Sequence, residues 1–160
     1  GAAEKGLLLI AEIQAKVEAI RAETRQWPVR PQVYFEEWDE PPISAIQWVS
    51  ELIGIAGGDD CFPELATQSL GKNRIIADSS EIVRRNPDIM IGSWCGKKFR
   101  PETVAARAGW SDVNAVKHQQ IFEVKSPLIL QPGPAALTDG LAALHEIIRQ
   151  WQTQQHRNGL

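Results

Sequence analysis

The sequence predicts an α/β lobe of three layers, in which a short parallel sheet is flanked by helices on both faces and preceded by one long helix. Three observations predict it. Apolar residues recur at helical spacing over the first two dozen positions, and β-prone runs then alternate with capped helical segments. Strands separated by helices also need crossover connections, which make neighbouring strands parallel. A chain of 160 residues, 43% of them hydrophobic, can bury one core of ordinary size.

The segment Glu4 to Gln26 places Ile10, Ile13, Val17 and Ile20 at spacings of three and four, with Glu12 and Lys16 as an i,i+4 pair. This is an amphipathic helix of roughly 34 Å, stopped before Pro28. It marks residues 1–28 as one unit, and the lobe occupies residues 29–160. Gln32 to Glu36 is a β-prone run, followed by a helix from Ser44 to Ala56, opened by Ser44 with Gln47 three positions later and closed by Gly57 and Gly58. Asp78 with Glu81 has the spacing of a capping box, for a short helix ending at Arg84, Arg85, Asn86 and Pro87. Ile89 to Ile91 reads as a buried strand, and Pro101 starts a helix that ends near Gly109. A third strand, Ile121 to Val124, leads through a loop rich in Pro and Gly to a terminal helix from about Ala135 to Trp151. With so few strands, either the lobe is small or part of the protein lies outside this sequence.

A formal net charge of −3, with Lys and Arg dispersed along the chain, argues against a nucleic-acid partner. No apolar run approaches the roughly 20 residues of a membrane-spanning helix, and the first residues lack a signal-peptide pattern. Cys61 and Cys95 match no zinc or redox spacing, so composition leaves a disulfide or two thiols open, and free thiols are the expectation. No metal site is expected from His118, His145 and His156, and no nucleophile elbow or phosphate-binding loop occurs. A binding protein is therefore expected rather than an enzyme, with no cofactor.

In open α/β sheets ligands lie beyond the carboxyl ends of the strands. The loops there carry Glu36, Glu37, Trp38, Asp39 and Glu40; then Trp94, Cys95, Lys97, Lys98 and Phe99; then Ser126, Leu128 and Ile129. The expected ligand-binding set is Glu37, Trp38, Trp94, Cys95, Lys97, Phe99, Ser126 and Leu128, because two Trp on adjacent loops suit a flat, apolar ligand. Each residue has a plainer reading. The Trp rings can pack between loops, the lysines and carboxylates can be solvated, and Cys95 can be an inert small side chain. Trp38, Trp94, Phe99, Leu128 and Ile129 are expected to form an exposed apolar patch that favours self-association, as a homodimer covering this rim or the long helix.

The stretches VYFEEWDEPPISAIQWVSELIGIAGGDDCFPE, SSEIVRRNPDIMIGSWCGK and AVKHQQIFEV, in that order, resemble the C-terminal lobe of the substrate-binding proteins of cobalamin and ferric-siderophore ABC importers. The order of strand, helix, Ala-Gly-Gly, then helix, Asn-Pro-Asp and apolar strand carries the likeness. The resemblance implies that Glu4 to Gln26 connects two lobes, that an N-terminal lobe is missing, and that the ligand lies between the lobes. It further implies permease subunits as partners, docking through Glu81, and an extracytoplasmic location. Cobalamin is the expected ligand, with haem or a ferric siderophore as alternatives. A chelatase-like enzyme handling a metal or tetrapyrrole is the competing function.

Overall fold

The computed structural model describes residues 1–159. Helix α1 (Ala2–Thr24) leads into strand β1 (Gln32–Asp39), which turns back into β2 (Pro42–Ser44). Helix α2 (Gln47–Ile55), strand β3 (Asp59–Asp60), and helices α3 (Pro63–Ala66) and α4 (Ser80–Arg85) precede the central strand β4 (Ile89–Gly92). Helices α5 (Pro101–Ala105) and α6 (Asn114–Lys117) then lead to β5 (Ile121–Glu123), α7 (Ser126–Ile129) and α8 (Leu141–Arg157).

The strand order is β2-β1-β4-β5, with β3 also paired to β1. Pairing is parallel for β1 with β3, β1 with β4 and β4 with β5, and antiparallel for β1 with β2. The sheet is thus mixed where a parallel one was expected. The two residues between Asp39 and Pro42 are too few for a crossover, so the chain can only reverse as a hairpin.

Alternation along the strands sends Val33, Phe35, Ile89 and Ile91 into one core with α2, α7 and α8. Tyr34 and Met90 enter a second core with α3, α4, α5 and α6. Apolar side chains thus leave both faces of the sheet, and helices must cover each, which gives the three layers the sequence predicts.

The Gly pair behind α2 closes it as expected. Gly58 N–H donates to Ile53 O at 3.0 Å and Gly57 N–H to Gly54 O at 3.2 Å, a Schellman closure that needs the left-handed φ of +101° at Gly57. Asn86, with φ of +47°, also ends α4 in the left-handed region, its N–H donating to Ile82 O and Val83 O at 3.1 Å because Pro87 has no N–H to complete a Schellman pair, and its side chain accepts from Asn114 N–H at 2.8 Å. Asp88 then accepts from Gln32 N–H at 2.9 Å and from the Asn114 amide at 3.0 Å. The Asn-Pro-Asp run is therefore a knot joining the end of α4 and the start of α6 to the starts of β1 and β4.

Other boundaries differ from expectation. Ser44 lies in β2, where its hydroxyl donates to Arg74 O at 3.2 Å, and α2 starts three residues later without a side-chain cap. Glu81 does not complete a capping box with Asp78, because its carboxylate turns to Arg84 and Arg85. The helix at Pro101 stops at Ala105, and a π-helical turn (Ala136–Gly140) precedes α8, which runs on to Arg157.

Helix α1 packs only along its second half. Val17 and Ile20 lie on the first core, and the Thr24 hydroxyl donates to Ile55 O at 2.8 Å. Beyond it Trp27 stacks on His145, with ring centroids 5.8 Å apart, and covers Gly57. Leu7, Leu8, Leu9 and Ile10 are exposed, so the early turns of α1 stand clear of the lobe.

Gly92, at the end of β4, lies under the ring of Phe99. A β-carbon there would fall 2.0 Å from Phe99 Cε2. Gly92→Ala is expected to lower unfolding stability by about 1–3 kcal/mol through overpacking, read from the urea midpoint. An unchanged midpoint would show that the Phe99 ring can yield.

Candidate ligand-binding site

The carboxyl ends of β1 and β4 form the floor of a cleft of about 460 Å³, lined by Asp39, Glu40, Trp94, Thr103, Arg107 and Trp110 among others. Alternation sets it up: Glu36 follows Tyr34 by two positions and so faces the second core. Its side chain is fully buried. Four donors satisfy it, namely Tyr34 OH at 2.6 Å, Trp94 Nε1 at 3.2 Å, and Arg107 Nη1 and Nη2 at 2.9 and 2.8 Å. Burial pushes the Tyr34 hydroxyl well above its usual pKa, and the adjacent Glu36 charge pushes it further. Burial opposes the charge on Arg107, but the Glu36 carboxylate outweighs it and raises that pKa. The Arg107 guanidinium also lies 4.9 Å from the Trp110 ring centroid.

A bulge in the β1–β2 pairing between Glu36 and Trp38 turns Glu37 to Arg74. Arg74 is buried and also donates to Gln68 O and Ser69 O at 2.9 and 3.0 Å, holding the 68–74 turn. Burial raises the Glu37 pKa although Arg74 pulls the other way. Glu37 is absent from the cleft lining.

Trp38 is half-buried, with its indole N–H on Glu40 O at 3.0 Å. Trp94 is buried edge-on against Phe99, with centroids 4.8 Å apart, and lines the cleft. Lys97 bridges the two loops: Nζ lies 2.6 Å from Asp39 Oδ2, and 5.5 and 5.3 Å from the ring centroids of Trp38 and Trp94. Trp38, Trp94 and Lys97 therefore come together.

The other expected residues are placed elsewhere. Phe99 is interior, Ser126 opens α7, and Leu128 packs on the first core across the sheet from Trp94. Both cysteines are free, with Cys95 exposed and Cys61 buried. Burial pushes the Cys61 thiol up to about 12, which makes it inert at neutral pH. The apolar rim patch does not exist, because Trp94, Phe99 and Ile129 are all buried. A homodimer driven by that patch loses its basis.

Sequence reasoning grouped Glu36 with solvated loop acids and did not single out Arg107, Trp110 or Thr103. One signal was readable, since Glu36 shares the inward phase of Tyr34 in a strand. Nothing local points from Glu36 to an arginine 71 positions away.

Residues 1–128 match the family described as "Periplasmic binding protein". The chain belongs to this family. It is 36% identical over 67 residues to an uncharacterized ABC transporter substrate-binding lipoprotein of Bacillus subtilis, a stretch covering 42% of this chain and 20% of that protein. Its fold is similar to that of a possible iron-binding (periplasmic solute-binding) protein from Staphylococcus epidermidis, with TM-score 0.72 and 22% identity over 91% of this chain and 55% of that one. It is also similar to the periplasmic vitamin B12 binding protein BtuF of Vibrio cholerae, with TM-score 0.65 and 15% identity over 87% and 51% of the two chains. The chain thus spans about half the length of these solved structures, and its matching stretch a fifth of the Bacillus protein. The family is one of binding proteins, which decides against the chelatase alternative. Among the described residues no helix is long and apolar enough to cross a membrane.

Removing Arg107 would leave the Glu36 carboxylate buried without its main counter-charge. Arg107→Ala is expected to cost about 3 kcal/mol, at the low end for a broken buried pair because water can reach part of the vacated space. Thermal and urea denaturation would measure it, and a loss under about 1 kcal/mol would mean that the remaining donors suffice.

Proposed function

We propose that this chain is one lobe of the substrate-binding component of an ABC importer and forms one wall of a ligand cleft, and that the ligand is cobalamin or a close corrinoid. The observation that carries the reading is the cleft at the strand ends, where indoles meet charged groups that are already paired. In the lining Arg107 is committed to Glu36, and beside the cleft Lys97 is committed to Asp39, so the cleft itself offers hydrogen-bonding edges and no uncommitted guanidinium, with the half-buried Trp38 next to it as the more exposed indole. A corrin ring with amide side chains fits such a face. A polyanionic ferric siderophore or the propionates of haem would call for an uncommitted guanidinium.

The same reading gives α1 a role. Leu7, Leu8, Leu9 and Ile10 are successive residues spread around the whole helix and exposed by 49–68%, and a helix that is apolar all round belongs in an interior. A second lobe on the far side of α1 would supply that interior, with residues 1–28 as connector and 29–160 as the C-terminal lobe. Permease subunits are the proposed partners and an extracytoplasmic location the proposed setting, supported by the lipoprotein relative in Bacillus.

One wall provides a fraction of the roughly 70–90% coverage that a complete pocket gives a small ligand. This chain should therefore bind cobalamin in the micromolar to millimolar range, at about 4–8 kcal/mol. A visible-absorbance titration tests this, with haem and a ferric hydroxamate as comparators. Trp38→Ala should weaken binding roughly five-fold to a hundred-fold, as loss of one stacking ring does. Tighter binding of either comparator would overturn the corrinoid assignment, and an unaffected Trp38→Ala variant would remove Trp38 from the ligand face.

Glu81 is the proposed docking residue toward the permease. Its carboxylate is held by Arg84 at 2.5 Å and Arg85 at 2.9 Å, so an arginine of the permease would have to exchange with them. In the complete transporter, Glu81→Ala should lower uptake and leave ligand affinity unchanged. Undiminished uptake at both low and moderate salt would refute the role.

A further inference from the structure

Lys97 lies on a loop tip whose other residues, Cys95, Gly96 and Lys98, are exposed. Gly96 has φ of +71° and open space around it, so nothing in the core dictates where this tip lies. The Lys97 ammonium nevertheless has a defined seat, 2.6 Å from Asp39 Oδ2 and within 5.5 Å of two indole centroids. Two aromatic faces and a carboxylate around one positive nitrogen are the components by which proteins recognise alkylammonium groups. The seat also has unused capacity. Asp39 Oδ1 is buried and has no hydrogen-bond partner among the described residues, and Asp39 lines the cleft. A buried carboxylate oxygen left unpaired carries a desolvation cost that an incoming donor would remove.

We propose that Trp38, Trp94 and Asp39 form a subsite for a cationic nitrogen, and that Lys97 occupies it as an internal stand-in. A ligand bearing a protonated amine or quaternary ammonium group displaces Lys97, whose glycine-containing tip swings into solvent. The ligand nitrogen then takes both indole faces, and a protonated amine also donates to Asp39. Lys97 thereby sets specificity, since only a group that competes with a tethered ammonium enters. The inference rests on the proposed reading of this cleft as the ligand face but not on the corrinoid assignment, because the amide side chains of a corrin carry no ammonium and would leave Lys97 in its seat.

The test uses the whole chain, with choline as the probe and its uncharged carbon isostere dimethylbutanol as control, by calorimetry at constant ionic strength. Lys97→Ala should bind choline at least about ten-fold more tightly than the parent, because the competing ammonium is gone. Lys97→Arg should bind it no better than the parent. Adding Asp39→Asn should abolish the gain, and dimethylbutanol should not bind. Trp38→Leu, further from the buried network, should abolish the gain too if Asp39→Asn perturbs folding by circular dichroism. Equal choline affinity in parent and Lys97→Ala, or dimethylbutanol binding as tightly as choline, would overturn the subsite and leave Lys97 a structural latch. Cobalamin titration of the same preparations separates the two ideas. Failure with cobalamin alone strikes the corrinoid assignment, and failure with choline alone strikes the subsite.

Discussion

The Glu36 carboxylate holds the functional end of the lobe together. It sits within β1, level with the end of β4 and with no exposure to water, a position tolerable for a charge only if nearly every lone pair is used. The donors come from three separate places: Tyr34 on its own strand, Trp94 on the loop after the next strand, and Arg107 beyond α5. Because each donor must reach one point, their backbones are constrained relative to each other. The floor of the candidate cleft is therefore held in one arrangement by its own hydrogen bonds, and preorganisation of this kind lowers the ordering cost of any binding there. An apolar cluster of the same volume could match its stability but would not orient two indoles and a guanidinium.

Much of the architecture was legible in the sequence, and the parts that were not share a cause. The strands at Gln32, Ile89 and Ile121, the closure at Gly57 and the helix after Asp78 all rest on local patterns of apolar spacing and turn chemistry. Strands β2 and β3 have three and two residues, too short for any periodicity, and exist because β1 offers them an edge. Ser44 shows a local rule losing to a tertiary one: it has the chemistry of a helix cap, but its hydroxyl is taken by Arg74 O. The expected rim failed in the same way. Phe99 and Trp94 look like exposed loop aromatics in sequence, yet Gly92 leaves a slot that draws Phe99 inward, and Trp94 packs on Phe99. Arg107 was invisible because its value depends wholly on a partner distant in sequence.

The family motif has a physical content that the bare pattern conceals. Asn86 is needed for a left-handed closing residue whose side chain accepts from the start of α6, and Asp88 for two further acceptors at the head of the sheet. Together they set where β4 starts relative to β1. Since Glu36 pairs with Gly92 in that register, a shift at the amino end of the sheet would be felt at the candidate cleft.

The attachment of α1 has a mechanical consequence. The helix is a rod clamped at one end, by Thr24 on Ile55 and by Trp27 between Gly57 and His145, with its opposite end overhanging. Such a cantilever has its support along Val17 to Thr24 and a free arm of roughly 22 Å, so a small rotation at the support becomes a larger displacement at the tip. Anything attached at Leu7 to Ile10 would travel further than anything inside the lobe, and that travel is resisted by Val17, Ile20, Thr24 and the Trp27 indole wedged against a glycine.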